Sequence, residues 1–155
     1  MWDKSMNPKK EDELAITATI EDYLERILLL SENDGHAHIT ELASLLGISK
    51  ASVTEMISKL KTNGFVNFEK YGTITLTEKG RKIAVKVKER HDILKSFLVL
   101  IGVNEENASN DCCVMEHNLS KETMEKLKIF IEFLQEKNQK DVFERLSEYI
   151  TQIEE

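Results

Sequence analysis

The stretch His38–Gly80, HITELASLLGISKASVTEMISKLKTNGFVNFEKYGTITLTEKG, decides how this chain folds. Thr40 opens a helix that runs through Leu46 and stops at Gly47. Ser49 is a good N-cap, because its hydroxyl can accept from an amide two or three residues on. The helix it opens spans Lys50 to Thr62, with Val53, Met56, Ile57 and Leu60 at helical spacing as its buried stripe. Asn63-Gly64 ends it. Phe65 to Lys70 then alternates in character, Tyr71-Gly72 turns, and Thr73 to Leu76 alternates again, which predicts a short hairpin. Thr77 caps a long helix from Glu78 to about Ile101. Helix, glycine turn, helix and hairpin is the order of a winged helix-turn-helix. Ala43 is small where the two helices cross, Gly47 permits the tight turn, and Ile48 is expected to pack the corner.

Working outward, residues 1–15 are polar and charged, hold the only proline (Pro8), and read as a flexible arm. Ile16 to Ser31 is helical, with Ile20, Leu24, Ile27 and Leu28 on one face, and Gly35 breaks the run. His36 and His38 read as solvated loop residues. Beyond Ile101 come a polar link (Asn104 to Asn110), a short helix, a helix from Ser120 to about Lys137, and a last one from Asp141 to Ile153. The expected fold is mainly α. A winged helix-turn-helix domain with a small β-hairpin wing (16–80) precedes an all-helical domain (81–155).

A chain of 155 residues can bury roughly 70% of its unfolded surface, so it needs neither disulfides nor a metal merely to fold. Its two cysteines are adjacent and close no useful loop. No signal peptide or membrane span is evident, and a cytoplasmic protein with reduced thiols is expected. The net charge of −7 looks wrong for a nucleic-acid binder. Contact with DNA is local, however, and screening hides distant charge. From Ser49 to Lys70 four lysines face Glu55 and Glu69; from Arg81 to Lys95 six basic residues face Glu89 and Asp92.

The start of the third helix presents Ser49, Lys50, Ser52, Thr54 and Glu55, where a recognition helix reaches base edges and phosphates. Lys59 and Lys61 follow toward the backbone, and Lys70, Tyr71 and Thr73 occupy the wing tip. A merely solvated Ser/Lys face is the competing reading. The hairpin and the helix start LTEKG favour double-stranded DNA, with affinity falling steeply as salt rises.

A second stretch, NDCCVMEH (Asn110–His117), holds both cysteines. At about 100° per residue, Cys113, Glu116 and His117 share one arc, whereas Cys112, Met115 and Leu119 share a separate, apolar one. Thiolate, carboxylate and imidazole together suit a first-row transition ion better than calcium or magnesium. A half-buried dimer contact explains the same residues equally well. On the first helix, Asp22 and Glu25 lie opposite the core stripe, between Ala18 and Leu29, so either something covers that side or it is simply solvated. His91 borders the stripe Ile83, Val87, Leu94 and Leu98, as a core histidine also would. No H-E-x-x-H helix is present, which argues against a zinc protease.

The motifs EDYLERILLL, the winged segment, RHDILKSFLVLIGV and CVMEHNLS occur in this order between about Glu21 and Leu134. In this the chain resembles the diphtheria-toxin-repressor and manganese-transport-regulator family of metal-dependent repressors, in its short form without an SH3-like domain. The resemblance implies a homodimer that binds a palindromic operator once metal is bound and represses metal-uptake genes, with 16–80 as its DNA-binding domain and 81–155 as its metal-binding and dimerisation domain. It implies metal ligands at Asp22, Glu25, His91, Cys113, Glu116 and His117. Asp22 is similar to the manganese branch, which differs from the methionine of the iron branch. Cys113 is similar to the iron branch, where the short manganese regulators have glutamate. Lys95 replaces a carboxylate of the iron-type ancillary site. Two hard donors at Asp22 and Glu25 favour Mn(II), with Fe(II) next, and Zn(II) is expected to bind in vitro by affinity order.

The expectation is therefore a non-enzymatic, metal-sensing repressor with no small-molecule substrate and no membrane partner. A thiol-based redox repressor, in which His117 activates Cys113, is the alternative. A small metallohydrolase is a third reading, for which no turnover is expected.

Overall fold

In the computed structural model, the described residues are 15–69, 72–135 and 140–154. Nearly all of the expected arm, and the wing-tip pair Lys70 and Tyr71, lie outside them. The chain divides into two compact units, residues 1–82 and 83–155.

The first unit holds α1 (Ala18–Asp34), β1 (Ala37–His38), α2 (Ile39–Leu46), α3 (Lys50–Thr62), β2 (Val66–Phe68), β3 (Thr73–Leu76) and the first turn of α4 (Glu78–Leu100). Thr17 caps α1 by accepting from the Ile20 amide, and Gly35, at φ 74°, closes the helix onto the Ser31 carbonyl. Buried side chains from α1 (Ile20, Leu24, Ile27, Leu28), α2 (Leu42, Ala43), α3 (Val53, Ile57, Leu60) and the strands (Phe65, Val66, Ile74) make its core. α3 follows the expected bounds, because Ser49 accepts from the Ser52 amide at one end and Asn63 terminates the other. Met56, expected in the same stripe, is only half-buried.

The sheet differs from a bare hairpin. β3 lies in the middle, antiparallel to β2 on one edge and to the two-residue β1 on the other, with Ala37 opposite Ile74 and His38 opposite Thr73. His38 is thus no loop residue. It pairs in the sheet and forms the N-cap of α2, where its amide donates to the Glu41 carboxylate at 3.0 Å. The turn after α2 is closed by backbone alone, with the Gly47 and Ile48 amides folding back to the Ala43 and Ser44 carbonyls. Ile48 therefore need not pack the corner, and it remains 42% exposed.

Thr77 joins wing to helix. Its hydroxyl lies 2.7 Å from the Gly64 carbonyl and 3.0 Å from that of Phe65, and it accepts from the Gly80 amide at 3.1 Å. Gly80 sits so close to the Phe65 carbonyl that a Cβ there would overlap it.

The second unit holds the rest of α4, α5 (Glu105–Met115), α6 (Lys121–Gln135) and α7 (Lys140–Glu154). Gly102, at φ 96°, turns the chain after α4, and Asn104 caps α5 through the Asn107 amide at 2.9 Å. Leu94, Leu98, Ala108, Cys112 and Met124 form its core, with Phe97, Val103, Met115, Leu119 and Leu127 packed around them. Among the described residues no helix is long and apolar enough to cross a membrane.

Candidate metal centre and nucleic-acid interface

In the second unit, α4 carries His91, and α5 with the turn behind it carries Cys112, Cys113, Glu116 and His117. Glu116 is the C-cap of α5, still helical (φ −58°, ψ −29°), with its amide donating to the Cys112 carbonyl. Helical phase therefore extends to Glu116, and His117 begins the turn. The Glu116 carboxylate is 1% exposed. Its Oε2 lies 3.2 Å from His91 Nδ1, and its Oε1 lies 3.2 Å from His117 Nε2. Despite that proximity, Oε1 accepts no hydrogen bond among the described residues. A buried carboxylate is costly unless charge or donors satisfy it.

Both thiols converge on His91. Cys112 Sγ lies 3.6 Å from Nδ1 and 3.4 Å from Nε2, and Cys113 Sγ lies 3.8 Å from Nδ1. Each also donates to the Ser109 carbonyl at 3.2 Å. Cys112 is fully buried in the core, as its apolar arc predicts. The arc does not foretell that its sulfur also reaches His91. Helical side chains lean back over the preceding turn, and for both cysteines that brings the sulfur to Ser109. Burial, then the nearby Cys113 and Glu116, push the Cys112 thiol up to about 12, so it is held protonated at neutral pH.

In the first unit, Asp22 is half-buried and Glu25 is buried at 6% exposure, both on α1. Ala18 and Leu29, expected to be covered along with them, are exposed.

On the winged unit, Ser49, Lys50, Ser52, Thr54, Glu55 and Lys59 are all exposed along α3. Several also serve their own helix: Ser49 caps it, Thr54 donates to the Lys50 carbonyl at 2.7 Å, and Lys59 pairs with Glu55 at 2.8 Å. That lysine holds the Glu55 carboxyl below its usual range. Lys61, expected near the DNA backbone, donates to the Phe68 carbonyl at 2.9 Å and braces β2. Charge pattern could not reveal this, because the bond joins a helix to a strand seven residues away.

Winged unit and histidine–thiol–carboxylate cluster together define the class of metal-responsive DNA-binding regulators. Residues 15–74 match the family model described as the iron dependent repressor N-terminal DNA binding domain. Residues 77–143 match the iron dependent repressor metal binding and dimerisation domain. The chain belongs to the iron-dependent repressor family of metal-dependent transcriptional repressors, which are regulators and not enzymes. It is 48% identical over 124 residues to an uncharacterised HTH-type transcriptional regulator of Methanocaldococcus jannaschii, covering 79% of this chain and 99% of that one. It is 39% identical over 120 residues to the HTH-type transcriptional regulator MntR of Geobacillus thermodenitrificans, covering 77% and 85%. Among solved structures it is similar to a manganese-dependent transcriptional repressor in complex with manganese, at 30% identity and a TM-score of 0.68. That likeness covers 74% of this chain and about half (53%) of the other. None of these relationships supports the redox alternative for Cys113.

Proposed function

We propose that this protein is a homodimeric repressor that binds a palindromic operator when Mn(II), or secondarily Fe(II), is plentiful, and so limits metal uptake. The observation that carries the reading is Glu116, a fully buried carboxylate flanked by imidazole nitrogens, with one oxygen lacking a hydrogen bond. Imidazole nitrogens of His91 and His117 stand against its two oxygens. A divalent cation would satisfy the orphaned oxygen and accept both imidazoles as ligands, so the residues fit such an ion.

His91, Cys113, Glu116 and His117 would hold the ion from the second unit, and Asp22 and Glu25 would supply hard oxygen donors from the winged unit. When bound, the ion contributes positive charge that offsets carboxylate repulsion. Engaged by the ion, Asp22 and Glu25 would favour the state in which the winged unit is held for DNA. Their contribution can shift that equilibrium only by as much as they bind more tightly in the competent state. Lys50, Ser52 and Thr54 read the operator from the start of α3, and the wing tip with Lys70 and Tyr71 takes the adjacent backbone. Supporting this reading are the exposure of the α3 face and the manganese-linked names of the relatives.

The test is operator binding by fluorescence anisotropy with Mn(II), anaerobic Fe(II) or Zn(II), set against chelated protein. Mn(II) is expected to tighten binding about 10- to 100-fold, the usual span of allosteric coupling. Equal affinity with and without metal would reject the reading.

Dimerisation is supported by two apolar stripes on the second unit. Ile129, Phe130 and Phe133 are exposed on one side of α6, while Ile131 and Leu134 are buried. On α7, Val142, Tyr149 and Ile153 recur at i, i+7 and i+11 and are all exposed. Exposed apolar patches of this kind mark interfaces. The double variant Phe130→Asp/Phe133→Asp is expected to sediment as a monomer with unchanged helical content, where the wild-type chain sediments as a dimer.

A further inference from the structure

The two sulfurs form a cluster that the ligand set above does not use as a pair. Cys112, Cys113 and His91 each offer an atom, and the three lie within 4.8 Å of one another. With Zn–S near 2.3 Å and Zn–N near 2.05 Å, ligands around a tetrahedral ion stand about 3.6 Å apart. Cys112 Sγ and Cys113 Sγ stand 3.6 and 3.8 Å from His91 Nδ1. Cys112 Sγ also lies 3.4 Å from Nε2, over the ring and off the Nδ1 lone-pair axis, so a turn of the His91 ring is what aims Nδ1 at an ion held by both sulfurs; all three residues belong to the second unit.

We propose that Cys112, Cys113 and His91 Nδ1 form a second coordination mode, selective for zinc-class thiophilic ions, that needs no donor from the winged unit. It deepens the metal-sensing reading by naming what the chain does with the wrong ion. His91 Nδ1 is the shared atom, 3.2 Å from Glu116 Oε2 and 3.6 and 3.8 Å from the two sulfurs. One nitrogen has one lone pair, so donating it to an ion held by the sulfurs withdraws it from the oxygen-rich set. Soft thiolates favour zinc and its heavier congeners, and hard carboxylates favour manganese. On binding, two sulfur–metal bonds form, both thiol protons leave to solvent, and the two bonds to the Ser109 carbonyl are given up. The thiophilic ion is therefore stored in the second unit without engaging Asp22 or Glu25.

The probe is Cd(II), added to the reduced full-length protein, with the ultraviolet thiolate-to-cadmium charge-transfer band as the readout. The wild-type chain is expected to give a band of two-thiolate intensity, and Asp22→Ala/Glu25→Ala to give the same band. Cys113→Ser is the decisive variant, because Cys113 is half-exposed and Cys112 is then the only thiol left in the chain. It is expected to retain about half the band, the share of one thiolate of two. A Cys113→Ser protein that folds and gives no band overturns the proposal, as does loss of the band in Asp22→Ala/Glu25→Ala. Failure of manganese to promote operator binding would instead reject the sensing reading and leave the cadmium result standing, so the two are separable.

Discussion

Asp22→Ala is expected to remove most of the manganese-dependent gain in operator affinity, a gain of about 10- to 100-fold, while leaving the fold intact. Asp22 is half-buried on α1, a helix whose core face is Ile20, Leu24, Ile27 and Leu28. Alanine in that helix removes charge without opening a core cavity, and alanine is the best helix former. Circular dichroism and thermal melting should therefore match wild type. In the proposed mechanism the donors of the second unit still bind the ion, so Mn(II) affinity falls but does not vanish. What shrinks, with Glu25 left as the donor from the winged unit, is the difference in affinity between the two states, and metal shifts the equilibrium correspondingly less. Anisotropy titrations on operator DNA with saturating Mn(II) measure it directly. Full retention of the manganese response in Asp22→Ala would show that the winged unit contributes nothing through this side chain.

Gly80→Ala is expected to be the most damaging single methyl in the winged unit. The added carbon would overlap the Phe65 carbonyl, a backbone atom that cannot rotate away, and it would press on Leu76 as well. That carbonyl already accepts from the Thr77 amide and hydroxyl, both at 3.0 Å, so moving it breaks the junction of wing and helix. Overpacking of this kind costs about 1–3 kcal/mol, occasionally more. For a unit this size each kcal/mol lowers Tm by roughly 4–8 °C. Gly64→Ala is the useful comparison. Gly64 has φ 73° but nothing within 4 Å of a Cβ, so its cost is only the strain of a left-handed alanine, about 1–2 kcal/mol. A melt in which Gly80→Ala proves harmless and Gly64→Ala severe would reverse this account.

How far the sequence reached can be seen residue by residue. α3 was legible to the residue because both ends carry local signals, the Ser49 cap and Asn63-Gly64. β1 was not, since two residues are too few to show alternation and its partner strand lies more than thirty positions on. Helical phase placed Cys113, Glu116 and His117 together and set Cys112 in the core. It could not give the side-chain torsions that swing both sulfurs to His91, which depend on Ser109 and on the packing of α5. The bracing of the wing by Lys61 escaped for a similar reason. A lysine looks the same in sequence whether its ammonium meets a phosphate or a carbonyl.

The placing of β3 between β1 and β2 has a consequence for how such a protein diversifies. The base of the wing is held on both edges, by Ala37 and His38 on one side and by Val66 to Phe68 on the other. Below the tip, the Glu69 amide still reaches the Thr73 carbonyl at 3.1 Å. The loop between those two positions can be lengthened at little thermodynamic cost, because lengthening a closed loop adds only slowly to its entropy. The wing is thus a place where preference for flanking operator sequence can drift between lineages while α2, α3 and the core beneath them stay as they are.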